Sequence, residues 1–127
     1  MTCVPDSLIR KLKKHEYKLL NLDSKPNAYE FMEAMKKNNR KTYNVTWQKY
    51  KLNERQLIEN EERIKNIELD KINKGYLCSA CDPLLLLYCE IFFLGIDINF
   101  NGTPFEYRNV KYTDRIIKFS TSRSHFS

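Results

Sequence analysis

The sequence is poor in the residues that make tight turns, since its 127 residues include only three glycines and four prolines. All-β sandwiches and barrels need many such turns, and collagen-like or low-complexity chains are dominated by glycine and proline, so these classes are excluded. Histidine occurs only twice, and the chain has no glycine-rich phosphate loop, no G-x-S-x-G and no H-E-x-x-H motif. The sequence therefore offers little support for ordinary catalysis, and we expect a non-enzymatic protein.

Long apolar runs are also scarce. The N-terminal segment has Pro5, Asp6 and a lysine-rich stretch where a secretory signal needs about 7–15 apolar residues, so an intracellular protein is expected. The segment Leu84–Ile96 has Glu90 as its only charge, but a membrane-spanning helix needs about 20 apolar residues. We predict that this segment is a buried helix, and membrane association through it is an alternative.

What the chain does contain is enough apolar material for a core and an excess of positive charge. Hydrophobic residues make up 42% and aromatic residues 13% of the sequence, which fits a single domain over residues 1–127. The formal net charge is +6. Residues 1–51 carry 12 basic and 5 acidic side chains, a net +7, whereas residues 52–74 and 75–127 are close to neutral. Such asymmetry is typical of a surface that binds anions, although a lysine-rich composition alone also produces it.

Hydrophobic periodicity predicts an α-rich α+β fold with about four helices and a small C-terminal antiparallel β hairpin or sheet. The helices are expected at about residues 7–20, 27–38, 52–73 and 83–94, with the third long and mostly solvated and the fourth closed by Gly95. Tyr43–Trp47 alternates like a strand, but the sequence after it lacks glycine and proline and favours a helix. Asn101-Gly102 predicts a hairpin turn, and residues 121–127 are expected to form a frayed tail.

Cys78 and Cys81 form a Cys-x-x-Cys motif just before the predicted buried helix. Two thiols at this spacing bind a metal, form a reversible disulfide or pack in a core, and Cys89 is a further candidate for the first two roles. With Thr103-Pro104 the motif resembles thioredoxin-like proteins, which implies Cys78 as nucleophile and Cys81 as resolving thiol. We expect the three cysteines to be structural and no cofactor to be bound. The alternatives are a dithiol oxidoreductase and a zinc protein.

A basic cluster beside two aromatic residues indicates a candidate surface for nucleic acid. The predicted phosphate contacts are Lys36, Lys37, Arg40 and Lys41, and the predicted stacking residues are Tyr43 and Trp47. Because no base-reading motif accompanies them, any nucleic-acid binding should be non-specific. The sequence as a whole predicts a small basic helical interaction module that docks on a larger assembly, which could be a nucleoprotein. A protein is the expected partner, and a membrane is the less favoured one.

Overall fold

The computed structural model of the chain describes residues 3–70, 81–100, 102–112, 114–122 and 125–126. The helices in these ranges are α1 (Cys3–Arg10), a 3₁₀ helix (Lys14–Leu20), α2 (Ala28–Lys37), α3 (Glu54–Lys65) and α4 (Cys81–Phe92). The strands are β1 (Val45–Trp47), β2 (Tyr50–Lys51), β3 (Gly95–Phe100), β4 (Thr103–Asn109), β5 (Ile116–Ser122) and β6 (His125–Phe126).

The described strands form one mixed sheet of six strands in the order β2-β1-β4-β3-β5-β6. β3 and β5 run parallel, and the other neighbours are antiparallel. The prediction of an α-rich fold with a small antiparallel hairpin is therefore wrong, because strands occupy the middle of the chain as well as its C-terminal part. The fold is α+β, and the predicted hairpin is present in it, because β3 and β4 pair antiparallel with Phe100 opposite Thr103.

The sheet buries one face against α4. Buried and exposed side chains alternate along the strands, as a sheet with one covered face requires. The buried residues on this inner face include Ile96, Ile98, Tyr107, Ile117 and Phe119. Residues 84–92 of α4 are all buried, so the predicted core helix is present, although Gly95 and Ile96 belong to β3. Within the described ranges, no helix is both long and apolar enough to cross a membrane.

The helix predicted over residues 7–20 is interrupted. α1 ends at Arg10 and the 3₁₀ helix begins at Lys14. Glu16 accounts for the break, because its buried carboxylate accepts a hydrogen bond from Lys13 N at 2.7 Å and pairs with Arg115. Lys13 is held in an extended conformation, with φ −83° and ψ 154°, which an α-helix cannot contain.

Tyr43–Trp47 is not helical, so the expectation of a helix there is wrong, and Val45–Trp47 form β1. β1 and β2 form a hairpin in which Trp47 pairs with Tyr50 across the two-residue turn Gln48–Lys49. Both turn residues have positive φ, 51° and 70°, which is the type I′ geometry that matches the twist of the strands.

The helix expected over residues 52–73 is shorter than predicted. α3 begins after Asn53, whose Oδ1 accepts a hydrogen bond from Gln56 N at 2.8 Å, and it ends at Lys65. It packs against α4 through Leu57 and Ile64, which are buried, and most of its other residues are exposed. Residues 71–73 of the predicted helix lie outside the described residues.

The prediction is accurate for α2 but wrong for the C-terminal segment. α2 begins and ends close to the predicted bounds, with Asn27 Oδ1 accepting a hydrogen bond from Glu30 N at 2.8 Å. The tail expected to fray from residue 121 instead continues β5 to Ser122, and β6 pairs with it. Backbone pairing along the sheet edge therefore extends further than the polar composition of this segment indicates.

Candidate interaction surface

α4 ends in a strained backbone conformation at Phe93. This residue has a φ of 57°, a left-handed conformation that costs a non-glycine residue about 1–2 kcal/mol. Leu94 N donates to Cys89 O at 3.4 Å, which is the characteristic bond of a Schellman motif with Phe93 at the position that glycine usually occupies. Gly95, predicted for this role, instead begins β3.

Gly95 is required for a different reason. A Cβ atom at this position would lie 2.9 Å from Tyr107 O and 3.2 Å from Arg108 Cδ. The missing side chain lets the Arg108 guanidinium cross β3 and donate to Ile96 O at 3.2 Å. Arg108 then pairs with Asp97 at 2.7 Å and Glu106 at 3.1 Å. The charged groups of this cluster on the outer face of the sheet pair with one another, and these ion pairs account for the cluster.

The Phe93 ring is directed to the surface. It is 43% exposed and contacts the ring of Tyr112, with centroids 4.6 Å apart and an interplanar angle of 50°. Tyr112 is itself 48% exposed. The left-handed residue at the end of α4 thus contributes to an exposed aromatic pair rather than to the core.

Three further exposed hydrophobic residues lie at the same end of the sheet. β1, β3 and β5 begin at the same end of the sheet, and β4 ends there. The large hydrophobic residues exposed at this end, each by 41–58%, are Tyr43, Phe93, Val110, Tyr112 and Ile116. We call these five residues the aromatic end. Isolated exposed hydrophobic residues are ordinary, whereas a group at one end of a fold is typical of an interaction site.

Buried polar contacts hold the segments of the aromatic end in place. Glu90, only 7% exposed, accepts hydrogen bonds from Asn44 N and Asn44 Nδ2, both at 2.9 Å. Asn44 O in turn accepts from Val110 N at 2.8 Å. Asn109 Nδ2 donates to Cys89 O at 3.0 Å, which ties the end of β4 to the last turn of α4. The backbone segments that carry the exposed rings are therefore held together by buried hydrogen bonds.

The predicted phosphate-binding residues lie together at the C-terminal end of α2. Lys36 Nζ donates to Ile67 O at 2.7 Å, and Arg40 Nε donates to Asn38 O at 3.2 Å. The other two form long ion pairs of 3.9 Å, Lys37 with Glu33 and Lys41 with Glu54. Neighbouring protein groups engage each of the four cations, and their binding to phosphate stays a prediction.

The two predicted stacking residues are placed differently. Tyr43 is 56% exposed and belongs to the aromatic end. Trp47 packs against the core from β1, and its Nε1 atom is buried. Of the two rings, the one at residue 43 is the more accessible to a ligand.

The cysteine predictions fall largely outside the described part of the chain. Cys78 is outside it, and Cys81 is the first residue of α4, with its side chain not described. Cys89 is fully buried in α4, and burial raises the pKa of its thiol, which is the state of an unreactive packed cysteine. Pro104 lies on β4 next in register to Asn99, on the sheet face opposite α4, so it does not stand beside Cys81. Among the described residues no group of metal-binding side chains is found.

Sequence reasoning missed Phe93 and Tyr112 as site residues. The sequence contains no signal of a left-handed conformation at Phe93. Glycine is the residue that usually marks this position after a helix, and the glycine of this segment, Gly95, lies two positions later. Tyr112 follows β4, and its exposure depends on a turn closed by the hydrogen bond from Tyr112 N to Asn109 O at 3.3 Å.

No protein family model, no curated protein and no solved structure matches this chain. The geometry of the described residues is therefore the basis for a functional proposal.

Proposed function

We propose that this chain is a non-enzymatic interaction module, a small basic α+β domain that docks on a partner protein through the aromatic end. The observation that carries the proposal is Phe93, an aromatic residue held at φ 57° with 43% of its surface exposed. Strained residues persist where the surrounding structure over-determines them, and they cluster at functional sites.

The backbone conformation at this position does not call for phenylalanine. Glycine adopts the same backbone conformation without the steric cost and is the usual residue after a helix. The ring contacts Tyr112, but Phe93 and Tyr112 remain 43% and 48% exposed in the free protein. A partner that covered them would gain the hydrophobic free energy that the folded chain leaves unrealised.

The chemistry of the aromatic end supports contact with a protein. Tyrosine and phenylalanine are enriched in protein interfaces, and tyrosine is common among residues that dominate binding energy. The hydrogen bonds of Asn44 to Glu90 and of Asn109 to Cys89 O fix the supporting backbone. A surface that is already ordered loses less conformational entropy on binding.

The proposal is tested by selecting binders from a random peptide library displayed on phage, with the purified chain as bait. Tyr112→Ala removes one exposed ring of the aromatic end, and Tyr50→Ala is the matched control because Tyr50, 75% exposed, lies on the β1–β2 hairpin. We expect peptides selected on the wild type to lose at least about tenfold in affinity for Tyr112→Ala, as for a residue of an interface centre. The control should bind them within about twofold of the wild type, since it leaves that centre untouched.

Two results contradict the proposal. One is that no selected peptide depends on Tyr112. The other is that Tyr50→Ala weakens binding as much as Tyr112→Ala does. Far-UV circular dichroism of both variants verifies that the fold is intact.

A further inference from the structure

The N-terminal basic segment is fixed beside the aromatic end through Arg115. Arg115 O accepts a hydrogen bond from Gly95 N at 2.8 Å, and Ile116 of the aromatic end follows it in the chain. The guanidinium of Arg115 turns the other way and donates from Nη2 to Lys11 O at 2.8 Å. Its Nη1 pairs with the buried carboxylate of Glu16. One side chain thus connects the start of β5 to the connection between α1 and the 3₁₀ helix.

The surface of this segment is cationic. Five basic side chains lie on it, all belonging to exposed residues: Arg10, Lys11, Lys13, Lys14 and Lys18. Glu16 lies among them in sequence, but it is 5% exposed and faces Arg115, so it does not neutralise the outer surface. None of the ion pairs between described residues involves these five cations. We call them the basic rim.

The cluster at the end of α2 differs in its ion pairs. Lys37 and Lys41 have glutamate neighbours at 3.9 Å. In the basic rim the observed side-chain partners are neutral, because Arg10 Nη2 donates to Ser7 Oγ at 3.0 Å and Lys11 Nζ lies 5.8 Å from the centroid of the Phe119 ring. The basic rim therefore keeps its positive charge for a ligand, whereas Lys111 and Asp114, both exposed near the aromatic end, carry opposite charges.

We infer that the partner segment that docks on the aromatic end is acidic, with carboxylates beside an apolar or aromatic anchor. This inference rests on the proposed function and adds the charge of the partner to it. The anchor would contact Phe93 and Tyr112, while the carboxylates would face the basic rim. Charges at the edge of an interface guide association and fix the register of the bound segment, because opposite potentials attract and like charges repel.

Two other anionic ligands fit the geometry less well. Stacking on successive nucleobases needs several open ring faces. Phe93 and Tyr112 contact one another, so among the described residues of the aromatic end Tyr43 is the one ring without an aromatic neighbour. A lipid surface requires apolar area and positive charge and gains nothing from a phenylalanine held in one strained position. A peptide with a defined anchor does use a ring of fixed position.

The test uses defined polymers and the full chain. The random copolymer of glutamate and tyrosine is the acidic probe, and the copolymer of lysine and tyrosine is its counterpart of opposite charge. Binding is measured by fluorescence anisotropy at low and at physiological salt. Poly(U) and vesicles of phosphatidylserine and phosphatidylcholine are titrated in parallel.

Two variants with the same loss of positive charge are compared. The rim variant replaces the five residues of the basic rim by glutamine. The control variant replaces one arginine and four lysines of exposed residues elsewhere by glutamine, namely Lys25, Lys49, Lys51, Arg63 and Lys65. Tyr112→Ala serves as the third variant and reports on the aromatic end.

We expect the acidic copolymer to bind the wild type. At low salt its affinity for the rim variant should be at least about tenfold lower, which corresponds to a few tenths of a pKd unit for each exposed cation. The control variant should lose less than about threefold, since its cations lie outside the edge of the interface. Tyr112→Ala should weaken binding at both salt concentrations, because the apolar contact is not screened by salt.

The remaining outcomes overturn the inference. Equal losses in the rim and control variants mean that only overall charge matters. If the lysine copolymer binds as tightly and also depends on Tyr112, the partner is not acidic but the proposed function stands. If no tyrosine copolymer depends on Tyr112, the proposed function fails as well. Tighter binding of poly(U) or of the vesicles through the basic rim assigns this surface to nucleic acid or membrane, and absence of binding by the acidic copolymer also contradicts the inference.

Discussion

At both ends of the sheet, residues other than glycine adopt positive φ. Phe93 does so at the aromatic end, and Gln48 and Lys49 do so in the β1–β2 turn at the opposite end. We call this opposite end, which also contains Gly102 of the β3–β4 turn, the turn end. The two ends therefore carry the same kind of backbone strain, and they differ in what the strained side chains contact.

At the turn end the strain closes the hairpin and local bonds compensate it. Gln48 Oε1 accepts a hydrogen bond from Glu106 N at 2.7 Å, and Gln48 N donates to Glu106 O at 2.9 Å. At the aromatic end the Phe93 side chain meets Tyr112 at the surface. Strain that is compensated within the fold needs no partner to explain it, whereas strain that exposes an aromatic ring indicates a contact surface.

The largest expected effect comes from adding a methyl group at each end. Gly95→Ala should cost about 3 kcal/mol of unfolding free energy, because its Cβ would meet the backbone oxygen of Tyr107 at 2.9 Å. Gly102→Ala should cost about 1 kcal/mol, since its φ of 91° is unfavourable for alanine but no atom lies within 4 Å. Urea unfolding measures both, and equal losses would show that the contact at Gly95 relaxes without cost.

Removing one polar side chain at each end gives the next effect. Asn44→Ala should cost about 2 kcal/mol, because it removes the bond from Asn44 Nδ2 to Glu90 Oε2 at 2.9 Å and leaves a buried carboxylate oxygen without that donor. Gln48→Ala should cost about 1 kcal/mol or less, since water can reach the half-exposed backbone groups it leaves. If the two variants unfold at the same urea concentration, the buried hydrogen bond of Asn44 to Glu90 does not stabilise the protein more than the bond of Gln48 to Glu106.

Relieving strain at the turn end should stabilise the protein. Lys49→Gly removes the left-handed penalty at φ 70° and should raise the unfolding free energy by up to about 1 kcal/mol. Lys49→Ala, which keeps a Cβ, should give no such gain. Thermal unfolding of the two variants isolates the effect of the backbone conformation, since both lack the lysine side chain. A lower stability of Lys49→Gly than of the wild type would mean that Lys49 is not strained.

A loss of stability is also expected at alkaline pH, and it comes from two buried residues of α4. Burial raises the pKa of the Tyr88 hydroxyl and of the Cys89 thiol. Above about pH 9, where the cysteine of the unfolded chain loses its proton, the unfolded state binds fewer protons than the folded state, so unfolding becomes easier as pH rises. Urea unfolding from pH 8 to 11 should show this slope, and Cys89→Ala should reduce it. A slope unchanged by that substitution would show that the thiol titrates alike in both states.

Elements with local signals were predictable from the sequence. α2 has an asparagine cap, and the β3–β4 hairpin has Asn-Gly. α4 follows from an apolar stretch too short to span a membrane. In each case the residues that determine the structure are neighbours in the chain, so the local sequence is enough to predict the element.

The rest depends on contacts distant in sequence. The β1–β2 turn uses Gln48–Lys49, which lacks the usual asparagine and glycine. β1 is stabilised by pairing with residues of β4 that lie 60–64 positions away in the chain. The parallel pairing of β3 with β5 also has no local signal. Phe93 was missed for the same reason, since Tyr112 and the start of β3 determine its placement.

The most direct test of the aromatic end is the affinity of Phe93→Gly for the peptides selected on the wild-type chain, with urea unfolding as its control. We expect the affinity to fall at least about tenfold. The unfolding free energy should stay within about 0.5 kcal/mol of the wild type, because relief of the left-handed strain offsets the lost contact with Tyr112. Unchanged affinity together with a stability loss above about 2 kcal/mol would show that the Phe93 ring serves folding and not binding.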